Sequence, residues 1–528
     1  MQRFEPNAGS ETSAARGRGA SEAAARPMGM GAGLSGERPT GIAAREAALR
    51  ALAELEKSIG QSVLHAGAVQ DAEGAGKPTR GGATLGAARS DVDLALVFIS
   101  PHHIGSAQEA LDAVGKVLSP RNMLLASAEA VIGGFLELEG VPGISVLAAS
   151  LPGVRVHTFS SDDLPMALGV DEEADEKTDL ADIAEAVGML PIESAQPGVG
   201  AAAGTQRGQG RNAEASAYRC TILLVDPYTV PITGILPTLS RARSLCAVDG
   251  AGQGDADSMS TAGYTGAGGA LGKRGAIIGG IASGSMRAGG NVLIVNGRVR
   301  HQGLIGVTLS GPIRVDTVVS QGCRAFGPNM VVTRAKGNVI KQLGGRPALT
   351  VIREQIEALP EQYRQLLSRG LMLGRVVDEY RDRFGPGDYL IRAVTKVSPE
   401  LEEVVLADHF KVGQTVRLHL RDAETAERDL AMLMDAQGLY GTPMGALLIT
   451  CNGRGTRLFS KANHDVTMIQ RAFFEPTPGA QKAKGGSSLR TTTGFPLAGF
   501  FAAGEIAPVG DRVFLHGHTA CGVLFRRV

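Results

Sequence analysis

The 528-residue sequence predicts an α+β protein: two domains with largely antiparallel or mixed sheets packed by helices, a disordered N-terminal tail, and low-complexity insertions. Three observations predict it. Apolar runs of strand length follow one another between Gly and Pro punctuation, without the regular strand–helix alternation of a parallel sheet. Helical patterns interrupt these runs, some of them in pairs. Gly supplies 72 residues, about double the ordinary ~7% usage, and is shared between turns and unpatterned filler.

Residues 1–40 are rich in Ala, Gly, Ser and Arg and read as a low-complexity tail. From Gly41 to Leu64, Ala48, Leu49, Leu52, Leu55 and Ile59 recur at helical spacing. Asp93–Ser100 is a short apolar run ending at Pro101, a buried strand, and Ser106–Leu118 an amphipathic helix. Strands are expected at Met123–Ile132, Ile144–Ala149 and Val154–Phe159. Insertions without apolar period occupy 66–90, 171–217 and 249–273. Further strands are expected at Ala276–Ile281, Val292–Val295 and Ile305–Leu309, and a boundary at residues 311–312 separates a 41–311 domain from a 312–528 domain. In the second, helices are expected at Ala348–Leu359, Glu361–Phe384 and Ala423–Met434, the last N-capped by Asp422. Strands are expected at Tyr389–Val394, Val416–His419, Ala446–Cys451, Met468–Arg471, Leu497–Gly504, Val513–Leu515 and Val523–Phe525. No repeat of 20–50 residues is visible, which excludes a solenoid or propeller.

Lys+Arg and Asp+Glu both total 53, so no basic footprint for nucleic acid is present. No apolar run approaches the ~20 residues that span a bilayer, and no secretory signal is visible. Five widely spaced cysteines, Cys220, Cys246, Cys323, Cys451 and Cys521, point to a reducing compartment. The cytoplasm is the expected location; the Arg- and Ser-containing tail makes a plastid or other organelle the alternative, against which Glu5, Glu11, Glu22 and Glu37 count.

Most motifs fail on their own mechanics. Gly31, Gly33 and Gly36 spell G-x-G-x-x-G, but in the tail, with no strand before it to form a dinucleotide turn. Gly272–Lys273 lacks a P-loop's first glycine (Ala267) and its hydroxyl (Arg274). Gly279–Gly284 reads as a tight turn between strands, or as an anion-binding turn. His516 and His518 would share one face of a strand, with Cys521 as a third metal ligand, but no fourth ligand is evident. Cys451 beside Gly453 and Arg454 is either an activated thiol or a small apolar strand end. Glu505 pairs with Arg454 or takes a ligand's amino group. No sequence signature for a cofactor is found.

Several of these stretches together resemble the FIST family, a FIST-N domain followed by FIST-C. The carrying residues are Asn296–Val299, Gly303, Gly306–Gly311, Ser320–Arg324, Gly327–Pro328, Val332–Thr333, Gly387–Arg392 and Arg421–Ala423. The most specific blocks close the chain: Cys451–Gly455, Phe500–Ile506 and Phe514–Thr519. Ala276–Gly284, Ala128–Gly134 and Ser145–Pro152 fit the N-terminal domain more loosely. The resemblance implies an intracellular signal-transduction module that binds a small polar ligand, an amino acid among them, and is not an enzyme. Output would pass through a separate protein partner, since no output domain or F-box segment is attached. Position 518, aromatic in the family, is His518 here. On this reading Arg324, Arg454, Glu505, His516, Thr519 and Cys451 line the pocket, a guanidinium taking a carboxylate bidentately and Glu505 an ammonium. The alternatives are a scaffold recruiting a client protein, and an enzyme using Cys451 or Cys323.

Overall fold

A computed structural model describes residues 26–73, 91–165, 180–190, 217–246, 275–474 and 494–528. Most of the three insertions lies outside them. The described parts are the end of a long helix to Glu73 in the first, and a short helix, Leu180–Ala186, inside 171–217.

The strand–helix order repeats three times. The first repeat runs β1 (Gly29–Ser35), α1 (Thr40–Glu73), β2 (Leu94–Ile99), α2 (Ala107–Leu118), β3 (Asn122–Ser127), the hairpin β4 (Ala130–Gly133) and β5 (Leu136–Glu139), and β6 (Ile144–Ser150). The second has β7 (Arg155–Ser160), α3 (Leu180–Ala186), β8 (Tyr218–Val225), α4 (Ile232–Ser244), β9 (Ala276–Ile281), β10 (Leu293–Val295), β11 (Arg298–Arg300) and β12 (Leu304–Ser310). The third opens with β13 (Ile313–Gln321) and is then interrupted by a separate module. That module comprises β14 (Cys323–Lys336), β15 (Val339–Leu343), β16 (Arg346–Pro347), α5 (Ala348–Glu357), α6 (Glu361–Arg364), β17 (Leu371–Val376), β18 (Tyr389–Ser398), β19 (Glu403–Leu406) and β20 (Thr415–Arg421). The third repeat resumes with α7 (Ala423–Gly438), β21 (Gly445–Cys451), α8 (His464–Arg471), β22 (Leu497–Ala502), β23 (Glu505–Val509), β24 (Arg512–His516) and β25 (Thr519–Arg527).

Each repeat builds one six-stranded sheet around a central parallel pair: β2 with β3, β8 with β9, β21 with β22. Its first and last strands pair with each other on the outside, β1 with β6, β7 with β12 and β13 with β25. Its hairpin is given away. β4–β5 joins β22 of the third repeat, β23–β24 joins β9 of the second, and β10–β11 joins β3 of the first. The exchange closes a ring, and the chain ends meet where Arg527 Nε and Nη2 donate to Met28 O at 3.1 and 2.7 Å. Two sheets therefore combine strands from both sides of residue 311.

One face of every sheet enters a common core in which Phe98, Leu224, Ile278, Phe500 and Phe525 are buried together. The rings of Phe98 and Phe500 stack 4.6 Å apart. The other faces are covered by α1 and α2, by α3 and α4, and by α7 and α8. In β2, Leu94, Leu96 and Phe98 face the shared core while Ala95, Val97 and Ile99 face the helices. Burial on both faces is why the central strands are unbroken apolar runs.

The inserted module is a small barrel ordered β14-β20-β17-β18-β19-β15, closed by pairing of β15 with β14 around its own core. Its entry and exit lie side by side: Cys323 pairs with Arg421, and Asp422 N donates to Gly322 O at 3.1 Å.

Several expectations are corrected. The tail expected over 1–40 contains a strand, Gly29–Ser35, while residues 1–25 lie outside the described residues. Gly31 and Gly33 sit inside that strand, not in a phosphate-binding turn. A Cβ on them would fall 2.0 Å from Ala51 O and 1.9 Å from Ala47 O, so glycine lets the Ala-faced α1 lie directly on β1. Met123–Ile132 is two strands in different sheets, split at Ala128. Met468–Arg471 is the end of helix α8, its apolar residues packed under the third sheet. The helix expected over Glu361–Phe384 stops near Arg369, because Gly370 (φ 98°) turns the chain into β17 between β18 and β20. Asp422 caps α7 as expected, accepting from Glu424 N.

Candidate functional site

Parallel strand pairs leave a crevice beyond their carboxyl ends, where open α/β sheets bind ligands. The three repeats offer three such mouths, and they differ. The first two fill themselves with their own side chains. Ser127 Oγ bonds Asn291 Oδ1 (3.3 Å) and accepts from Val292 N (2.9 Å), and Ser100 Oγ accepts from Gly143 N (2.9 Å). Asp226 accepts from Tyr228 N, Thr229 Oγ1 and Asn291 Nδ2. Gly279–Gly284 belongs to this packing: a Cβ at Gly280 would meet the Phe500 ring at 2.7 Å.

The third mouth is built differently. Cys451 ends β21, and Asn452–Gly455 forms the loop above it, with Gly455 at φ 56°. Glu505 begins β23 and is paired in register with His516 of β24. Gly517 and His518 turn the chain into Thr519 of β25, with His518 at φ 62°. The barrel's two ends, Cys323 and Arg421, complete the rim.

Arg454 is wholly buried. Its Nε and Nη2 grip Asp465 at 2.7 and 2.9 Å, and Thr450 Oγ1 and His464 Nδ1 bond the same carboxylate at 3.0 and 3.1 Å. The neighbouring guanidinium holds the Asp465 carboxyl far below the usual range against the opposing effect of burial. Glu505 is equally buried. One of its oxygens accepts from Thr519 N (3.2 Å) and Thr519 Oγ1. Burial pushes its carboxyl up to about 8, so it is protonated at neutral pH. Burial likewise lifts the Cys451 thiol to about 12, helped by Glu505, and lowers the His518 imidazole to about 4, helped by Arg421 and Arg454. Arg421 Nη2 donates to Gly453 O.

What distinguishes this mouth is unmet hydrogen bonding. Of twelve buried side-chain polar atoms without a partner among the described residues, five gather here: Arg454 Nη1, Arg421 Nε, Asn452 Oδ1, Glu505 Oε1 and His518 Nδ1. Each costs roughly 1–3 kcal/mol if it stays unpaired, so the cluster is expensive unless something polar occupies it.

A FIST N domain model matches residues 93–346 and a FIST C domain model residues 348–508. The chain belongs to the FIST family. An uncharacterized protein of Mycobacterium bovis is 32% identical over 434 residues, covering 82% of this chain and 90% of its own. An uncharacterized protein of Mycobacterium tuberculosis is 32% identical over 434 residues, covering 82% and 91%. FIST domains are associated with signal transduction and small-ligand sensing. The matched FIST C stretch holds Cys451, Arg454 and Glu505 but ends before His516, His518 and Thr519.

Of the residues expected to line a pocket, Cys451, Arg454, Glu505 and Thr519 come together. His516 is buried beside them, but its Nε2 faces Ala507 O at 3.1 Å. Arg324 turns away: it pairs with Asp422 (2.7 Å) and covers the Tyr363 ring, on the wall of a cavity of about 280 Å3 that also takes in Cys323 and His419. The bidentate fork expected of Arg454 is already used on Asp465, leaving Nη1 alone. The metal trio does not form, since the left-handed turn at His518 breaks the alternation that would align it with His516. Among the described residues no cluster of three or more His, Cys, Asp or Glu is arranged to hold a metal, and no helix is long and apolar enough to cross a membrane. Sequence reasoning missed Asn452, Arg421 and Asp465 as members of the site. Asn452 and Arg421 stood in the Cys451–Gly455 and Arg421–Ala423 blocks without a role; Asp465 comes from the first turn of a helix whose end, Met468–Arg471, was read as a strand.

Proposed function

We propose that this FIST protein is an intracellular sensory module that binds a small polar ligand, of the amino-acid class, at the mouth of the third repeat. The carrying observation is the convergence of five unpartnered buried polar atoms on one strand-end crevice, while the two equivalent mouths are closed by their own side chains. The spare N–H groups of Arg454 and Arg421 and the proton of the neutral Glu505 carboxyl suit a ligand carboxylate, and Asn452 Oδ1 suits its donors. The role is binding, without catalysis. A thiol held near 12 is not a nucleophile at physiological pH, and the nearby His516 imidazole is committed to a backbone carbonyl through Nε2. Because the mouth is rimmed by both ends of the barrel, a ligand there would bear on the barrel's seating, and a protein partner in the cytoplasm would read that change.

The test is a thermal-shift screen of the full chain against amino acids and other small polar metabolites. A ligand at a hundred times its Kd stabilises by about 2.7 kcal/mol, a visible rise in melting temperature. The rise should vanish in Asn452→Ala and His518→Ala. A shift that survives both substitutions places the ligand elsewhere and refutes the reading.

A further inference from the structure

A second cleft opens where the barrel meets the three-sheet body. It encloses about 520 Å3, within the range of small-molecule pockets. The barrel lines it with Arg375, Arg392 and Asp408, the body with Arg241, Asp511 and Arg512. Four guanidinium groups thus face two carboxylates.

Local pairing concentrates the imbalance. Asp408 serves two arginines at once, Arg392 Nε at 2.7 Å and Arg375 Nη2 at 3.6 Å. Arg392 is 8% exposed, so this pair is largely desolvated. Arg512, at the start of β24, brings a third guanidinium to the cleft from the body side. It lies over the Phe514 ring at 5.2 Å and has no carboxylate partner among the described residues. Burial lowers the Arg375 pKa, and the charges of Arg392 and Arg512 lower it further against the attraction of Asp408. Arg375 and Arg392, which share one carboxylate, and Arg512, whose charge acts on Arg375, repel each other across the cleft, and an anion between them relieves that repulsion. Guanidinium groups offer paired donors that match phosphate oxygens, and several together suit a multiply charged group better than a single carboxylate.

We propose that this cleft binds the phosphate group of a small phosphorylated molecule, held between Arg375 and Arg392 of the barrel and Arg512 of the body. The site is separate from the third-repeat mouth and does not depend on what binds there. A phosphate so placed would tie the barrel to the body.

The probe is inorganic pyrophosphate, titrated calorimetrically into the full chain. Saturable binding at one site is expected, weakening as salt rises because the attraction is screened. Arg512→Gln should weaken it at least tenfold. Arg512 is exposed and has no ion pair among the described residues, so the variant should melt like the parent. Arg375→Gln, inside the barrel wall, should weaken it similarly. The absence of saturable binding, or unchanged affinity in Arg512→Gln, overturns the proposal. Citrate is the comparison anion, and tighter binding of citrate than of pyrophosphate overturns the assignment to phosphate.

Discussion

Replacing Glu505 with Gln isolates the energetic cost of the third mouth. The Glu505 carboxyl ionises near 4.5 in the unfolded chain and near 8 in the folded one, with burial as the main cause. Below 4.5 both states are protonated and the group carries no penalty. As pH rises from 4.5 to about 8, the unfolded chain gives up its proton while the folded one keeps it. The stability present at low pH is therefore progressively lost up to the folded pKa. At 1.36 kcal/mol per pH unit, that gap is worth about 5 kcal/mol as an order of magnitude. Glu505→Gln keeps an amide oxygen to accept from Thr519 and never ionises. Parent and variant should therefore be about equally stable at pH 4, with the variant gaining steadily to a lead of a few kcal/mol at pH 9. Urea unfolding midpoints at half-unit pH intervals measure this directly. A parent–variant difference that stays flat between pH 4.5 and 8 would refute the buried, protonated carboxyl, and with it the electrostatic description of the site.

Two more predictions concern the ring of repeats. Gly33→Ala forces a Cβ to within 1.9 Å of Ala47 O, a backbone atom that cannot swing aside, so β1 and α1 must separate. A loss of about 3 kcal/mol is expected, read as a lower urea midpoint, and an unshifted midpoint would show that α1 does not rest on β1. A circular permutant joining Val528 to Arg26 through a short Gly/Ser linker, and opened between residues 475 and 493, should fold with the parent's circular dichroism spectrum. Loss of sheet signal in the permutant, with a linker-only control intact, would contradict the meeting of Met28 and Arg527.

Local structure was largely legible, and its arrangement was not. Runs such as Leu94–Ile99, Ala276–Ile281 and Gly445–Cys451 announce buried strands because both their faces are covered, and Asp422 announces the start of α7. The repeat escaped notice for two physical reasons. The hairpins pair with a neighbour's sheet, so sequence proximity does not report pairing, and insertions of unequal length hide the common order. Met123–Ile132 shows the limit: one apolar run serves two sheets, and only tertiary packing bends it at Ala128. The polar core of the site was legible where charge interrupts a glycine-rich strand end, as at Arg454 and Glu505. Arg421 and Asp465 were not, because nothing in a linear pattern shows that a barrel exit and a helix start return to the same crevice. Arg324 misled for the converse reason. It is one residue from Cys323 on an extended strand, and that alternation sends its side chain to Asp422 and Tyr363 instead.

The threefold plan also accounts for why one mouth is distinct. In the first two repeats the outer strand leads to its helix through a single chain segment, and the mouths close with Ser127, Asn291 and Asp226. In the third, the whole barrel is inserted between β13 and α7, and its paired ends bring Arg421 and Cys323 to the crevice. Arg421 adds a guanidinium whose Nε has no partner among the described residues, beside an imidazole that burial and two arginines keep neutral. The same insertion creates the cleft on which Arg375, Arg392 and Arg512 converge. Both polar concentrations thus arise where the barrel departs from the symmetry of the body. The repeats themselves are locked to one another by exchanged hairpins and a shared core, so the ligands proposed above would act on the barrel's contacts with the body, of which these are two.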